Sequence, residues 1–365
     1  MIYRVIGLMS GSSLDGLDIV YAELEETGGR WSYRIDAAAC LPYPEDWVRK
    51  LETSIHLDAR EYLLLHSSYG HYLGRLVNDF IVSNDLQYRV TLIASHGHTT
   101  FHMPPEMTAQ LGCGAAIAAG TGLPVVSDLR TLDVACGGQG APIVPMGEKL
   151  LFPGTDLFLN IGGIANISAS MPGGYVAFDV CPANRVLNML AAEMGMAYDD
   201  GGMVAASGTL HDPLLHALDG LGYYGNAYPK SLANTFGTDV MHPLVKSFGI
   251  PVEDALRTCT EHISRQVARA VRMVQDREKN FIPADARMLV TGGGALNGFL
   301  VSRIDDMLRP LGIHAVAADS QLACYKEALI MGLLGVLRWR DEETVMSTVT
   351  GAVKDTVGGA VWMGR

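Results

Sequence analysis

The sequence has no pair of cysteines spaced to clasp a metal or to staple a small framework. Its six cysteines, Cys40, Cys113, Cys136, Cys181, Cys259 and Cys324, lie far apart with no CxxC among them. That excludes a zinc ribbon and a disulfide scaffold and predicts reduced thiols in the cytosol. No cluster of Lys and Arg is present, and the net charge is -12. Binding to a phosphate backbone needs a basic surface, so a nucleic-acid partner is not expected. Apolar stretches are broken by Gly, Asp, Ser or Arg before they reach the roughly 20 residues that span a bilayer, which predicts a soluble chain with no membrane contact. Residues Met1 to Ser10 lack the basic segment and small-residue cleavage site of an export signal and read as a strand, so the expected location is cytoplasmic. Low-complexity linkers and tails are missing too.

What is there is enough chain, 365 residues, for two domains of ordinary size. Tyr3 to Ser10 and Leu17 to Leu24 are β-rich runs around a Gly-Ser-Asp tip, which predicts a hairpin, with Tyr33 to Leu41 as a third strand. Asp58 to Leu86 is helical in pattern, and Val90 to Ser95 is a buried strand ending at His96-Gly97-His98. A short helix at Gly114 to Gly120 and a strand at Leu123 to Ser127 complete a first α/β unit. The Gly- and Pro-rich stretch Asp128 to Pro145 suits a hinge between lobes. A second apolar hairpin, Asp156 to Ala169, hints at a duplicated plan. Val252 to Val274 has the three-to-four spacing of a long amphipathic helix, and Arg287 to Thr291 runs as a strand into Gly292-Gly293-Gly294 and then a helix. A last helix is predicted over Cys324 to Arg340, with Glu327 in its first turns.

Three constellations carry chemistry. In Gly7-Leu-Met-Ser-Gly-Ser-Ser-Leu-Asp-Gly16 small residues let amides and hydroxyls approach phosphate oxygens. Asp15 and Asp18 add carboxylates that suit magnesium, directly or through water, or that orient the hydroxyls. An ordinary hairpin turn explains the same composition equally well. Gly292-Gly293-Gly294-Ala295 after a buried strand admits a flat group such as adenine close to the main chain, although it is not a dinucleotide fingerprint. In Phe178-Asp179-Val180-Cys181-Pro182-Ala183-Asn184 a carboxylate ends a β-run where α/β proteins place ligands, which suits a general base; a helix cap is the competing role. His96, His98 and His102 have the spacing of a metal face, but no carboxylate or cysteine accompanies them, and polar histidines around a pocket are the preferred reading.

These blocks recur in order along the chain: Gly7 to Asp18, Ser95 to Thr99, Asp128 to Pro145, Asn160 to Ser168, Phe178 to Asn184, Tyr198 to Gly202, Pro229 to Ser231, Thr291 to Asn297 and Lys326 to Ala328. Together they resemble the anhydro-N-acetylmuramic acid kinases over nearly the whole length. The resemblance implies an α/β, two-lobed actin-like ATPase fold of ribonuclease H-like type with a central ATP and substrate cleft. The first lobe is expected at 1–130 plus 345–365, and the second, with the adenosine-binding motif, at 131–344. It implies ATP and Mg2+ as cofactors, an amino sugar as substrate, and a homodimer. ATP would be held by Gly11, Ser12, Ser13, Leu14, Asp15, Gly16, Leu17 and Asp18 near the phosphates, by Gly162, Gly163 and Asn166, and by Gly292, Gly293, Gly294 and Ala295 near the adenosine. Asp15 and Asp18 would hold the metal, Asp179 would be the catalytic base, and Thr99, Arg130, Gly140 and Glu327 would bind the sugar. For Arg130 the alternative is an interdomain salt bridge, and for Glu327 a favourable charge at a helix N-terminus.

The pattern departs in places. The family's Asp-Thr-Gly-Pro-Gly-Asn is Asp179-Val-Cys-Pro-Ala-Asn184, its Ser-His-Gly-Gln is Ser95-His-Gly-His98, and its Pro-Lys-Ser-Thr-Gly-Arg-Glu shortens to a match at Pro229-Lys-Ser231. The altered loop leaves a kinase of the same fold acting on another sugar as a second reading. A nucleotide-binding sensor without turnover is a third, and the joint presence of Asp179, Arg130 and Glu327 speaks against it.

Overall fold

The computed structural model describes residues 1–11, 14–171, 174–233, 235–277, 283 and 285–364. The chain forms two compact units, Met1–Pro153 with Tyr325–Arg365, and Gly154–Cys324.

In the first unit, β1 (Ile2–Ser10), β2 (Gly16–Thr27) and β3 (Arg30–Pro42) form an antiparallel meander. β4 (Leu92–Met103) then pairs parallel to β1; β5 (Met107–Leu111) folds back on β4, and β6 (Val125–Ser127) lies parallel beyond it. The middle of β1 is buried on both faces, so its sequence reads as a continuous apolar run rather than an alternation. The helix Ala59–Ser83 covers the sheet; Asp58 caps it by accepting from the Glu61 N–H at 2.8 Å, a local start signal written in the sequence.

The second unit repeats the plan. β7 (Leu157–Ile161), β8 (Ile164–Met171) and β9 (Gly174–Pro182) form the meander, and β10 (Ala286–Thr291) and β11 (Ile313–Ala317) add parallel to β7. The strand order β11-β10-β7-β8-β9 mirrors β6-β4-β1-β2-β3. This ribonuclease H-like order, present twice, is that of the actin-like ATPases. Finally β12 (Ala360–Trp362) returns to the first unit and closes its sheet antiparallel to β6.

The units divide after Pro153 and after Cys324, not at 130/131 and 344/345. The helix Val144–Leu151 belongs with the first unit because a Cβ at Gly147 would meet Ile330 at 2.5 Å, so the two helices lie close. Lys326 also pairs with Glu148 at 2.7 Å, and both side chains are almost fully buried. The segment Asp128 to Pro145 is therefore interior to the first unit and not a junction between units.

Three elements differ from their sequence reading. β4 does not stop at Ser95 but continues through His96 and His98 to Met103, because β5 supplies a partner strand, with Thr99 opposite Gln110. The last long helix begins at Ser320, a turn earlier than Cys324, so Glu327 sits well inside it. That helix, Ser320–Trp339, is by length and composition apolar enough to cross a bilayer, but it is mostly buried and serves as a core helix. Finally, the helix Val252–Arg277 buries its polar residues Thr258, Glu261, His262, Ser264 and Gln266 as well as its apolar stripe.

Candidate active site

The tip of the β1–β2 hairpin carries the first motif. Two of its glycines are explained by packing: a Cβ on Gly7 would run into Ala328 and Gly332 of the core helix, and one on Gly16 would come within 2.6 Å of the Leu41 carbonyl. Leu17 is buried in the core, and its main chain lies in the sheet between Ser10 and Leu41. Ser12 and Ser13 lie outside the described residues. Leu14 takes a left-handed φ of +58°, a conformation that costs a branched-chain residue about 1 kcal/mol and that concentrates at functional turns.

Beneath the tip, Ser10 Oγ gathers Tyr43 Oη at 2.8 Å and Tyr69 Oη at 3.0 Å, which are themselves 2.6 Å apart. His98 Nδ1 lies 3.4 Å from the same hydroxyl, and His98 also bonds to the main chain of Gly11. Burial lowers the His98 pKa and raises those of both phenols, that of Tyr69 to about 12, so all remain neutral hydrogen-bonding groups. His98, where the family has glutamine, thus anchors the root of the turn.

Asp15 accepts from the Gly16 N–H at 3.0 Å. Asp18 is hydrogen-bonded to Cys40, its partner across β2 and β3. Burial, and then the charges of Asp15 and Glu327, push the Asp18 carboxyl up to about 7 despite that hydrogen bond. A divalent cation would relieve this congestion, and carboxylate oxygens suit magnesium, so the residues fit the ion. Among the described residues no group of three or more His, Cys, Asp or Glu stands ready to hold a metal. Magnesium here would complete its shell with water and phosphate, as it commonly does.

The residues expected at the sugar, Arg130, Gly140, Thr99 and Glu327, lie in the same unit. Arg130 donates from Nε to His96 Nε2 at 2.9 Å and from Nη1 to the Gly140 carbonyl at 3.1 Å. His96 is held neutral, its pKa driven to about 3 by burial and by Arg130, and its Nδ1 reaches the Gly97 carbonyl at 2.8 Å. Both ring nitrogens are thus engaged. Burial lowers the Arg130 pKa to about 10, against the stabilising charge of Glu327. Burial raises the Glu327 carboxyl, opposed by Lys326 and Arg130. Both partners of Arg130 belong to the first unit, and Glu327 lies inside its helix, so neither the salt-bridge nor the helix-terminus alternative describes these residues. Gly140 has φ +65°, and a Cβ there would meet Val134 at 2.6 Å. Thr99, on β4, accepts from Gln110 at 3.5 Å. Asp133, absent from the sequence reading, is fully buried; its carboxylate accepts from the Gly140 N–H at 2.7 Å and from the Thr350 hydroxyl at 2.7 Å.

In the second unit, β9 delivers Asp179 opposite Asn166 of β8. The β7–β8 turn, Gly162-Gly163, accepts on its carbonyls from the Asn184 N–H at 3.1 Å and the Ala183 N–H at 2.8 Å. The turn, Asn166 and the Asp179 loop therefore form one assembly at the same end of the sheet. The Asp179 carboxylate accepts from the Leu232 N–H at 2.8 Å and does not cap the helix Asn184–Ala192. Burial raises its pKa, partly offset by that bond, which suits a group that must take up a proton. Val180, Cys181 and Ala183 are all buried in the core. The hydroxyl lost at Val180 is thus lost on the packed face of the strand, not on the face of Asp179.

The glycine turn after β10 divides in two. Gly292 (φ +80°) and Gly294 are required by Ile161, against which a Cβ at either position would press. Gly293 is exposed, a Cβ there would meet only Asn184 Nδ2 at 3.6 Å, and Ala295 is buried in the turn that follows. Asn184 Nδ2 in turn donates to the Ile161 carbonyl at 3.1 Å, which links this turn to the Asp179 loop.

Tyr223 escaped the sequence reading, as did Asp133. Its hydroxyl donates to the Asp179 carbonyl at 2.7 Å. The only hint was its place shortly before Pro229-Lys230-Ser231.

A profile of the family described as anhydro-N-acetylmuramic acid kinase matches residues 3–364. The anhydro-N-acetylmuramic acid kinase of Photobacterium profundum is 32% identical, covering 99% of each chain. That of Streptomyces coelicolor is 33% identical over 99% of this chain and 94% of its own. Among solved structures, the activator of 2-hydroxyisocaproyl-CoA dehydratase from Clostridium difficile with bound ADPNP is similar at TM-score 0.45 and 14% identity, covering 93% of this chain and 96% of its own. Nothing about the site follows from so distant a likeness.

Proposed function

The chain belongs to the anhydro-N-acetylmuramic acid kinase family, and from that membership we propose that it converts 1,6-anhydro-N-acetylmuramate, water and ATP to N-acetylmuramate 6-phosphate and ADP. Its place would be the recycling of peptidoglycan in the cytoplasm, as a homodimer. The observation that carries the reading is the Asp179 carboxylate, proton-hungry through burial and tethered beside the Gly162-Gly163 turn and Asn166.

In this reading Asp179 takes the proton of a water whose oxygen attacks the anomeric carbon. The bond from that carbon to the bridging 6-oxygen breaks, and the freed 6-oxygen accepts the γ-phosphoryl group of ATP as ADP leaves. Phosphoryl transfer asks the protein for alignment and charge neutralisation. The Gly11 to Asp18 tip, Gly162, Gly163 and Asn166 are assigned to the phosphates, and Gly292 to Ala295, with exposed Gly293 foremost, to the adenosine. Arg130, oriented by His96 and Gly140, offers its remaining guanidinium N–H groups to the lactyl carboxylate or ring oxygens, with the Glu327 charge near it and Thr99 assigned to the same sugar. Asp18, with Asp15, would hold magnesium, which when bound would neutralise phosphate charge.

Product mass tests the reading. The expected product carries both phosphate and water, with heavy oxygen from labelled water at the anomeric carbon. Addition of phosphate alone would assign the chain to a simple sugar kinase. Asp179→Asn is expected to lower kcat by at least about 100-fold in an ADP-release assay, the scale of general-base catalysis. Equal turnover by the two proteins would remove Asp179 from its role.

A further inference from the structure

We propose that Tyr223 is a positioning residue for Asp179, acting through the main chain, and that the stretch 222–232 serves as the brace of the catalytic carboxylate. The inference rests on the reading of Asp179 as the base.

β9 is the edge of its sheet, and among the described residues it pairs with β8 alone. An edge strand leaves outward-facing main-chain groups without strand partners, and its position is correspondingly easy to shift. At Asp179 those needs are met by one stretch of chain. The Asp179 N–H donates to the Lys230 carbonyl at 3.1 Å, the Tyr223 hydroxyl donates to the Asp179 carbonyl at 2.7 Å, and the Leu232 N–H donates to its carboxylate at 2.8 Å. Main chain and side chain of the same residue are thus tied to a single brace. The Lys230 ammonium lies 4.6 Å from the centre of the Tyr223 ring, which closes the brace on itself.

The brace is anchored behind. Tyr224, next in the chain, is buried, and its hydroxyl lies 3.0 Å from His262 Nε2, while His262 Nδ1 lies 2.7 Å from Asp219. Gln266 and Arg265 also donate to Asp219, at 2.8 Å and 3.3 Å. Burial lowers the His262 pKa, so the neutral ring donates to Asp219 and accepts from Tyr224. Pinning Tyr224 in the core fixes where the adjacent phenol of Tyr223 points. Burial, and then the Asp179 charge, raise the Tyr223 pKa, so it remains a donor. Because the phenol meets the main chain and not the carboxylate, its effect on chemistry is through alignment, where small displacements cost large factors in rate.

The test is Tyr223→Phe, which deletes one hydroxyl and keeps the ring. We expect kcat to fall about tenfold while KM for ATP and for the sugar changes less than twofold. In protein carrying carbon-13 at aspartate carboxyls, the Asp179 resonance is expected to titrate at higher pH, because the loosened brace weakens the Leu232 bond that favours the ionised form. Among the described residues Tyr223 and Lys230 are titratable groups beside it, with Cys181 and Arg269 next to Lys230, and the conservative change leaves Lys230, Cys181 and Arg269 in place. Unchanged kcat and titration overturn the proposal, and so does a fall in kcat with a lowered melting temperature and an unmoved titration. If Tyr223→Phe does not fold, Tyr224→Phe is expected to give the same upward titration shift, and no shift there overturns the proposal. Asp179→Asn is assayed alongside: native turnover in that variant removes the base assignment, whereas the carboxyl titration still reports whether Tyr223 positions the residue.

Discussion

The β1–β2 and β7–β8 hairpins hold the same place in two sheets of the same strand order, yet they are secured by different means. The first rests on side chains: Ser10, Tyr43, Tyr69 and His98 interlock beneath its tip, and Arg130, His96, Asp133 and Glu148–Lys326 form further buried polar links in that unit. The second rests largely on main chain: the Gly162-Gly163 carbonyls receive the amides of Ala183 and Asn184, and Asp179 is braced by the amide of Leu232 and the carbonyl of Lys230, with the Tyr223 hydroxyl added from a side chain. Main-chain anchoring constrains side-chain identity little, which explains how the Asp179 loop accommodates valine and alanine where the family has threonine and glycine. Side-chain anchoring is specific, and a change such as glutamine to His98 survives there because a neutral imidazole still reaches Ser10 and Gly11.

The contrast breaks most visibly at Arg130. Arg130→Ala is expected to lower kcat/KM for the sugar by about 100-fold with little change in KM for ATP, and Arg130→Lys should recover little, since an ammonium cannot serve His96 and Gly140 with a planar fork. Steady-state kinetics with each substrate varied decides it; recovery by lysine would mean that charge alone matters.

Asp133→Ala strands the buried Gly140 N–H and Thr350 hydroxyl, and urea unfolding should show a loss of about 2–3 kcal/mol. A neutral outcome would show that the side-chain links of the first unit are dispensable. In the second unit the matching probe is steric. Gly294→Ala drives a methyl into Ile161 and should cost about 1–3 kcal/mol, whereas Gly293→Ala, with its nearest neighbour 3.6 Å away, should leave stability unchanged and, if it has an effect, weaken ATP binding. Equal losses at the two glycines would sink this division of labour.

The smallest expected effect concerns Asp18. Its folded pKa, about 7, lies above the ordinary 3.8, so the protonated form favours folding, and that advantage is lost as pH rises from about 4 to about 7. Asp18→Asn should therefore raise stability by about 1–2 kcal/mol at pH 8 without metal and nucleotide, and by almost nothing at pH 4. Thermal unfolding at the two pH values checks it, and a destabilised variant at pH 8 would mean that the carboxylate is ionised and satisfied in the folded protein.

Much of the fold was legible because it is written in local patterns. The hairpins, the Asp58 cap and the apolar repeat of Val252 to Val274 each follow from residues close together in the chain. The extension of β4 was not, since only β5, which returns from beyond residue 106, makes His98 and Thr99 part of a strand. The boundaries of the units also depend on distant partners: Lys326 finds Glu148 across nearly half the chain. The glycine motifs were visible as motifs, but which glycine faces a ligand and which faces Ile161 or Ala328 was not, because composition is blind to what packs against it.

The sequence by itself determined the repeated strand–turn–strand plan, the family, and the identity of the carboxylates and the arginine available for chemistry, since these are properties of residue type, spacing and order. Only the tertiary structure decided how those groups are ionised and aimed. Burial drives His96 neutral and Asp18 towards protonation, and Tyr223, more than forty residues from Asp179, finds the Asp179 main-chain carbonyl on the edge strand β9. Desolvation and long-range hydrogen bonding arise only when distant segments meet, so no local pattern can carry them.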